Sequence, residues 1–408
     1  MAVNTVTSVG ITRSFLDTLE NSLQFTKNCY KGYSNDNFGN ANPKEGDRLQ
    51  VRLPNRYKSY PQVAYVSQSV TEHTVDVWLR KPRLVPFDFT DHELTLEFDR
   101  FKERYTIPAS QQLATDIDFD GTERYKDVWN QVGQTTSVVS DIKTFLNAGT
   151  VLYDNAVAQD GKWLVLITPA IQAALIDENK TLFNPTSNIS MQYKKGVMGE
   201  TAGFTFQMSQ NLRQHITGNF GTGCELKISM VEGSNTFVFE NFTGVVTGDP
   251  SAIVGDIFEV DGVYSVNPNN KQTTGRLQQF VVKTAVWDGG TSAMTVTCAP
   301  YPISSQLNPH QNITSLGLAG AGVTFFGDAN STYSICLAYH PDAFCFVSAD
   351  LYLPKDVDMG AKETSDGISI RFTRTWDSKT TELICRMDVL YEHTTIRPEM
   401  AVRILSKI

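Results

Sequence analysis

Apolar positions near the beginning of the chain recur at the spacing of a helix. Within residues 10–26, the apolar side chains that share one helical face are Ile11, Phe15, Leu19, Leu23 and Phe25. A run rich in Gly and Asn follows at residues 32–42 and is typical of a flexible connection. The pattern predicts an amphipathic helix on a tether, which packs either on its own domain or on a neighbouring molecule.

From residue 47 to residue 97 the spacing changes to alternation. Polar and apolar residues alternate in Arg48–Leu53, Thr74–Leu79 and Leu94–Phe98, and prolines separate these runs. The alternation predicts a long β-hairpin or extended loop that carries basic residues on one face and apolar residues on the other. Because a two-stranded hairpin has little core of its own, we expect it to lie on another surface, either of this chain or of another.

Helical spacing returns over residues 98–130, where Pro108 predicts one long helix in two pieces. The continuous apolar run Trp163–Ile167 is typical of a strand that is buried on both faces. The Thr-Pro pair that follows supplies a helix N-cap and a proline at the first helical position, so a helix is predicted over residues 170–176. This strand and helix predict the core of an α+β domain.

A second region of strand signal begins after the α+β core. Residues 218–312 contain short strand patterns separated by turns rich in Gly and Asn, which predict a small barrel or sandwich. Strand patterns dominate again from residue 333 onwards, where Cys385–Ile404 predicts a strand, a short Arg397-Pro398-Glu399 turn and a second strand. A β module between two α+β parts predicts an insertion into one parent domain.

Composition and charge narrow the function classes. The chain has 408 residues, enough for two or three domains; 19% are charged, below the usual ~25%, and 11% are aromatic. Contact surfaces between chains favour aromatic residues over charge, so the composition favours a protein that buries surface against other chains; the alternative is a large β-rich monomer. The net charge of −9 opposes nucleic-acid binding except at modest basic groups such as Arg48–Lys58, so no sequence-specific DNA-binding protein is predicted.

Side chains that could bind a metal or carry out catalysis are not spaced for it. The six cysteines include no CxxC pair and the six histidines no pair at i and i+4, so zinc sites are not predicted. Cys336 and Cys345 lie in apolar runs and are predicted to be buried free thiols. Residues 116–127 resemble a calcium loop whose last position is Asp127 instead of Glu; a helix break with solvated carboxylates is favoured, with a metal as the alternative. We therefore predict no enzyme, no cofactor and no metal site; the alternative is an enzyme of unrecognised type whose residues converge only in the folded chain.

Segments that would direct the chain to a membrane are not recognisable. No stretch near the beginning has the apolar core of a secretory signal, and no run of 18 apolar residues occurs. The sequence therefore predicts synthesis in the cytoplasm and no membrane span.

Five local motifs occur in an order that resembles one known family. They are Arg104-Tyr105 with Pro108–Ser110, Tyr125–Gly133, Asp261–Pro268 with Thr274–Val281, Ala338–Phe344 and the terminal Arg397–Glu399. In this order they are similar to motifs of tailed-phage major capsid (coat) proteins, which have the Johnson fold of the Hong Kong ninety-seven type. The resemblance covers most of the chain and is strongest to coat proteins of short-tailed phages, which carry an inserted β-barrel domain.

The resemblance implies an α+β capsid fold in five segments. An N-terminal arm (1–45) precedes an extended β-loop (46–97). A spine helix and the first part of the α+β core (98–217) come next, followed by a barrel-like insertion domain (218–312). Residues 313–408 return to the α+β core and end in the C-terminal strands.

The resemblance also implies a function in assembly. Copies of the chain form the pentamers and hexamers of an icosahedral virion shell, with a scaffolding protein, a portal and, as a further candidate, a decoration protein as partners. The shell encloses double-stranded DNA without sequence-specific binding. A β-rich glycan- or receptor-binding virion protein is the alternative. The candidates for contacts between subunits are Phe15, Leu19, Arg52, Arg56, Lys58, Arg80, Arg83, Arg397 and Glu399.

Overall fold

The computed structural model describes residues 8–32, 48–57, 73–90, 102–178, 200–221, 223–245, 248–355, 357–379 and 382–407. The chain divides into two units, each built from three separate stretches. Unit 1 comprises Met1–Leu53, His73–Thr122 and Phe344–Ile396, and unit 2 comprises Pro54–Glu72, Glu123–Ala343 and Arg397–Ile408. Helices and several sheets occur together, which confirms the predicted α+β class.

The described helices and strands are numbered in chain order. The helices are α1 (Ser8–Ser22), α2 (Ile107–Thr122), α3 (Ile142–Asp154) and α4 (Pro169–Glu178). The strands are β1 (Arg48–Arg52), β2 (Thr74–Trp78), β3 (Lys81–Thr90), β4 (Gln131–Gln134), β5 (Leu164–Ile167), β6 (Glu200–Thr201), β7 (Phe204–Met208), β8 (Gln214–Ile216), β9 (Gly223–Leu226), β10 (Thr236–Thr243), β11 (Ile257–Val266), β12 (Thr273–Asp288), β13 (Ala293–Ala299), β14 (Gly322–Phe325), β15 (Thr332–Tyr339), β16 (Phe344–Ala349), β17 (Met359–Ser365), β18 (Ile368–Asp377), β19 (Glu382–Thr395) and β20 (Ala401–Lys407).

Unit 1 is organised around an antiparallel sheet of five strands. Its strand order is β16-β19-β18-β17, and β3 also pairs with β19. Strand β19 is long enough to pair with β3 along residues 382–391 and with β16 along residues 390–395. The prediction of a strand near residue 385 that ends at an Arg-Pro-Glu turn is confirmed, because a 3-10 turn (Pro398–Met400) separates β19 from β20.

Two helices of unit 1 pack together along their apolar faces. The predicted amphipathic helix is α1, and it packs against α2 and β17 of its own unit. The predicted two-piece helix begins with a π-helical turn (Lys102–Thr106), continues as α2 with Pro108 in its first turn and ends in a 3-10 turn (Glu123–Asp127). Proline is tolerated there because the first amides of a helix have no intrahelical acceptor.

The predicted long hairpin is only partly correct. Strands β1 and β2 pair antiparallel, with Arg48 opposite Trp78 and Arg52 opposite Thr74. Their apolar face, with Val51 and Val77, packs on residues of β16, so the hairpin lies on its own chain. Strand β3 leaves the hairpin and joins the sheet through β19, and the third predicted run, at 94–98, lies outside the described residues.

The central element of unit 2 is a sheet of seven strands. The order is β4-β20-β15-β5-β7-β6, and β8 also pairs with β15. Helices α3 and α4 cover one side of it and share an apolar core with β5, β15 and β20. All four residues of β5 are buried, and the Thr168 hydroxyl accepts a hydrogen bond from the Ile171 amide at 3.4 Å, so the predicted strand and capped helix are confirmed.

Unit 2 also contains a closed antiparallel barrel. Its strand order is β10-β13-β12-β11-β14-β9, and its interior is filled largely by aromatic rings. Rings of Phe239, Phe258 and Phe325 lie within 5.1–6.0 Å of one another. Strand β14 lies beyond residue 312, so the barrel includes a strand outside the predicted insertion 218–312; the domain limits otherwise stay predictions.

The cysteines are buried within these units. All six are free thiols, which confirms the prediction for Cys336 and Cys345. Burial raises the pKa of both thiols to about 12, so they are protonated and unreactive at neutral pH.

Candidate functional site

The end of helix α2 holds the turn that follows α1. Asp118 is fully buried, and its carboxylate accepts hydrogen bonds from the amides of Gln24, Phe25 and Thr26 at 2.7, 3.2 and 3.0 Å. The Thr26 hydroxyl donates to the same carboxylate at 2.7 Å. Burial raises the pKa of Asp118, and these hydrogen bonds oppose that increase. One carboxylate therefore accepts from three backbone amides of the turn that follows α1.

A histidine completes this arrangement. The Nε2 atom of His393 lies 3.0 Å from the Thr26 hydroxyl oxygen. Because the hydroxyl donates its one proton to Asp118, it accepts from the Nε2–H of His393. Gly121 permits the close approach, since a Cβ there would lie 2.8 Å from His393 Nε2 and 2.7 Å from Phe25 Cδ1. We call Asp118, Thr26 and His393 the Asp118 site.

Asp120, two residues further along α2, binds a different strand pair. Its Oδ2 atom accepts from Arg83 Nη2 of β3 at 2.9 Å and from the Tyr391 hydroxyl of β19 at 2.8 Å. Burial alone would raise the pKa of Asp120, but the hydrogen bonds from Arg83 and Tyr391 lower it below its usual value. Asp118 and Asp120 thus have pKa values that shift in opposite directions.

The calcium-loop alternative was wrong, because residues 116–122 are helical. The favoured helix break is present after Thr122, where α2 is followed by the 3-10 turn Glu123–Asp127. The carboxylates of Asp118 and Asp120 are buried and accept hydrogen bonds from protein donors, so the prediction of solvated carboxylates is wrong for these two residues. Among the residues that the structure describes, no group of three or more His, Cys, Asp or Glu side chains could hold a metal ion.

The hairpin of β1 and β2 has the predicted basic outer face. Arg48, Gln50 and Arg52 are exposed on β1, opposite the side that packs on β16. The guanidinium of Arg80 lies 3.8 Å from the centre of the Trp78 ring, and that of Arg48 lies 5.4 Å away. These cation–π contacts, and the Arg48–Asp76 ion pair at 2.6 Å, order a basic surface around one tryptophan.

The other predicted contact residues are dispersed. Phe15 and Leu19 are completely buried inside unit 1, and Arg83 pairs with Asp120 of its own chain. Arg56 pairs with Glu399 at 3.3 Å within unit 2. The remaining candidates are Arg397, whose Nη1 atom lies 3.9 Å from the Met400 sulfur, and Lys58, which is outside the described residues. In this conformation Phe15, Leu19, Arg56 and Arg83 all bind their own chain, and contacts of any candidate with a neighbour stay predictions.

Sequence reasoning missed the structural importance of Asp118. A usable signal existed, because Asp118 follows Leu113, Ala114 and Ile117 on the buried face of α2. A carboxylate on the apolar face of a helix requires donors from another segment.

In the described part of the chain, none of the helices is both long and apolar enough to cross a membrane.

Comparisons with known proteins identify a family. The model of a family described as "P22 coat protein - gene protein 5" matches residues 1–405. A solved structure from "Mycobacterium phage Che8" is similar with a TM-score of 0.49 and 12% identity, over 94% of this chain and 90% of that chain. The "Capsid of Ralstonia phage GP4" is similar with a TM-score of 0.49 and 7% identity, over 95% of this chain and 91% of that chain. A search among curated proteins found no match.

Proposed function

Because the chain belongs to the P22 coat protein family and is a major capsid protein of a tailed phage, we propose that its copies form pentamers and hexamers of an icosahedral shell. The observation that carries this proposal is the family match over residues 1–405. The protein is a structural component of the virion.

We propose that the outer face of the β1–β2 hairpin contacts a neighbouring copy. Its apolar side is already occupied by β16, so the side with Arg48, Gln50 and Arg52 is the one available to a partner. Carboxylates of the neighbour would pair with Arg52 and Arg80. Each such pair is weak when exposed, but many copies in a closed shell make the contacts multivalent.

The remaining partners are proposed from the family and the charge. A scaffolding protein, a portal and, as a further candidate, a decoration protein bind the shell, and the protein is made in the host cytoplasm. The enclosed double-stranded DNA is not bound by sequence, since the net charge of −9 opposes tight adhesion to phosphate. An acidic wall of this kind would enclose the DNA without binding it tightly.

Self-assembly is tested by electron microscopy of the expressed protein. The chain is produced alone and together with its neighbouring genes, and the soluble fractions are imaged by negative stain. Closed shells, tubes or rings of capsomers are expected. A monodisperse monomer or small ring under both conditions would contradict self-assembly and would make a glycan-binding screen the next experiment.

The hairpin contact is tested separately by charge reversal. The double variant Arg52→Glu, Arg80→Glu should lower the yield of closed shells while the far-ultraviolet circular dichroism of the unassembled protein stays unchanged. Lys143→Glu is a control for charge reversal at another surface, because Lys143 is also exposed but lies on α3 of unit 2. Wild-type shell yield from the double variant would contradict the hairpin contact without affecting the proposal of self-assembly.

A further inference from the structure

Unit 2 contains two separate apolar cores, and a group of buried polar side chains links the sheet to the barrel. Among the described residues, the core of the sheet and helices shares no member with the core of the barrel. We call these buried polar side chains the polar seam; each is at most 6% exposed, and buried apolar residues such as Leu405 lie on the same face of the sheet. The members of the seam are Tyr125, Gln131, His215, Asp256, Gln279 and Arg403.

Arg403 places a cation in this seam. Its neighbours Val402 and Ile404 face the core of the sheet and helices, and strand alternation turns Arg403 to the other side. Its Nη1 atom donates to the Gly255 carbonyl at 2.7 Å, and its Nη2 atom donates to Gln131 Oε1 at 2.7 Å. Burial lowers the pKa of Arg403 to about 10, so the guanidinium remains charged at neutral pH.

The balancing carboxylate belongs to the segment that enters the barrel. Asp256 lies directly before β11. The side chains of Tyr125 and His215 connect it to Arg403. The Arg403 guanidinium lies 5.6 Å from the Tyr125 ring, whose hydroxyl lies 3.0 Å from His215 Nδ1. The His215 Nε2 atom lies 2.8 Å from Asp256 Oδ1, and Asp256 Oδ2 accepts from the amides of Ile253 and Gly218 at 2.6 and 3.1 Å.

A side chain of the barrel forms hydrogen bonds with the backbone of the edge strand of the sheet. Strand β4 is the edge strand in the described sheet order, next to β20. The Gln279 amide of β12 accepts from the Gln131 backbone amide at 2.6 Å and donates to the Gln131 carbonyl at 3.0 Å. Four residues further along β12, Lys283 pairs with Asp127 at 2.5 Å. The barrel is thus attached to the sheet by directional polar contacts.

We propose that the polar seam, with Arg403 at its centre, fixes the orientation of the barrel on the sheet of unit 2 and does so independently of the folding of the barrel. Apolar contact is non-directional and tolerates sliding, whereas hydrogen bonds are satisfied in a narrow range of geometry. A buried cation strengthens this selection, because any orientation that separates it from its acceptors leaves a charge unpaired. The consequence for uniform shells rests on the assembly function proposed above.

Hydrogen exchange of the unassembled full chain tests this proposal. In Arg403→Met, the amides of Gln131, Gly218 and Ile253 should exchange faster by about tenfold or more, while those of Phe258 and Phe280 in the barrel keep their wild-type protection. Ile404→Val is the matched control, because it removes one methylene from the adjacent residue on the apolar side and leaves the seam intact. Unchanged exchange at the seam, or parallel loss of protection in the barrel, would overturn the proposal.

Orientation itself is measured by the distance between two spin labels. Leu146→Cys on α3 and Val286→Cys on β12 are suitable positions, since both side chains are exposed and the native thiols are buried. The wild-type seam should give one narrow distance distribution, and Arg403→Met should give a broad one. A distribution that stays narrow and unshifted in Arg403→Met would contradict the proposal even if exchange increased.

A second variant covers the case in which Arg403→Met does not fold. Gln279→Leu keeps the charge network and removes the side-chain amide that pairs with the Gln131 backbone and also donates to Glu259 of β11. It should accelerate exchange at Gln131 by about tenfold and broaden the same label distance, again with a protected barrel. No change in either measurement would refute the assigned function of the seam. None of these measurements depends on shell formation, so their failure is distinguishable from failure of the assembly proposal.

Discussion

Unit 1 and unit 2 each attach a peripheral element to a sheet, and they use different chemistry. In unit 1, helix α1 buries apolar side chains such as Phe15 and Leu19, and the Asp118 site fixes the turn that follows it. In unit 2, the hydrogen bonds of the polar seam link the barrel to its sheet, and each of the two has an apolar core of its own. The comparison teaches that the strength of an attachment and its orientation depend on different groups. Buried apolar area holds α1 on unit 1, and hydrogen bonds orient the barrel on the sheet of unit 2.

The largest expected effect is loss of apolar contact beneath α1. Phe15→Ala should lower the free energy of unfolding of unit 1 by about 3–5 kcal/mol, because a fully buried aromatic ring is removed from a packed core. Denaturant unfolding of the unassembled protein measures the change. Arg13→Ala on the exposed side of α1 is the control and should cost less than about 0.5 kcal/mol. Equal effects of the two variants would show that α1 is not held by its apolar face.

Asp118→Asn should have the next largest effect. Asparagine offers one acceptor oxygen where the carboxylate offers two, and its amide group would face the donors of Thr26. Leaving buried donors unsatisfied costs about 1–3 kcal/mol, and the loss should be confined to the turn after α1. Hydrogen exchange at Gln24, Phe25 and Thr26 checks this. Uniform acceleration across unit 1 would show that Asp118 stabilises the whole unit instead.

The pH dependence of Asp118 and Asp120 should have opposite signs. The pKa of Asp120 is lowered on folding, so its stabilising contribution is present above the unfolded pKa of ~3.9 and is lost as the pH falls through the folded pKa. The pKa of Asp118 is raised, so its contribution is greatest below ~3.9 and decreases as the pH rises through the folded pKa.

Paired unfolding titrations measure this difference. The stability lost in Asp120→Asn, at most about 1–2 kcal/mol at neutral pH, should shrink as the pH is lowered below ~4. The stability lost in Asp118→Asn should instead shrink as the pH is raised from acid towards neutral. Parallel profiles for the two variants would contradict the assigned environments of these carboxylates.

Local order was largely predictable from the sequence. The apolar run Trp163–Ile167 and the Thr-Pro pair after it identified β5 and α4, because burial on both faces and helix capping each leave a local pattern. The alternation at Arg48–Leu53 and Thr74–Leu79 likewise predicted β1 and β2. Prolines in β3 were compatible with an edge position, but its pairing with β19 joins residues about three hundred positions apart and leaves no local signal.

The candidate sites depended on contacts that a sequence does not encode locally. Gln131 and Arg403 are 272 positions apart, and each has the sequence signature of an exposed polar residue. Asp118 was the exception, since it occupies the apolar face of α2 and requires donors from elsewhere. The positions where a polar residue interrupts a buried pattern were therefore more informative than the acidic spacing that suggested a calcium loop.

The smallest effect should come from the Arg56–Glu399 pair. Both side chains are about a quarter to a third exposed, at 34% and 25%, so the pair should contribute about 0.2–1 kcal/mol. Arg56→Ala should therefore leave the unfolding midpoint of unit 2 nearly unchanged, and the residual difference should vanish at high salt. Arg403 of the same unit is the contrast, because its guanidinium is buried and its loss should open the polar seam. If Arg56→Ala also accelerated hydrogen exchange at the polar seam, as is expected of Arg403→Met, burial would not explain why Arg403 orients the barrel and Arg56 does not.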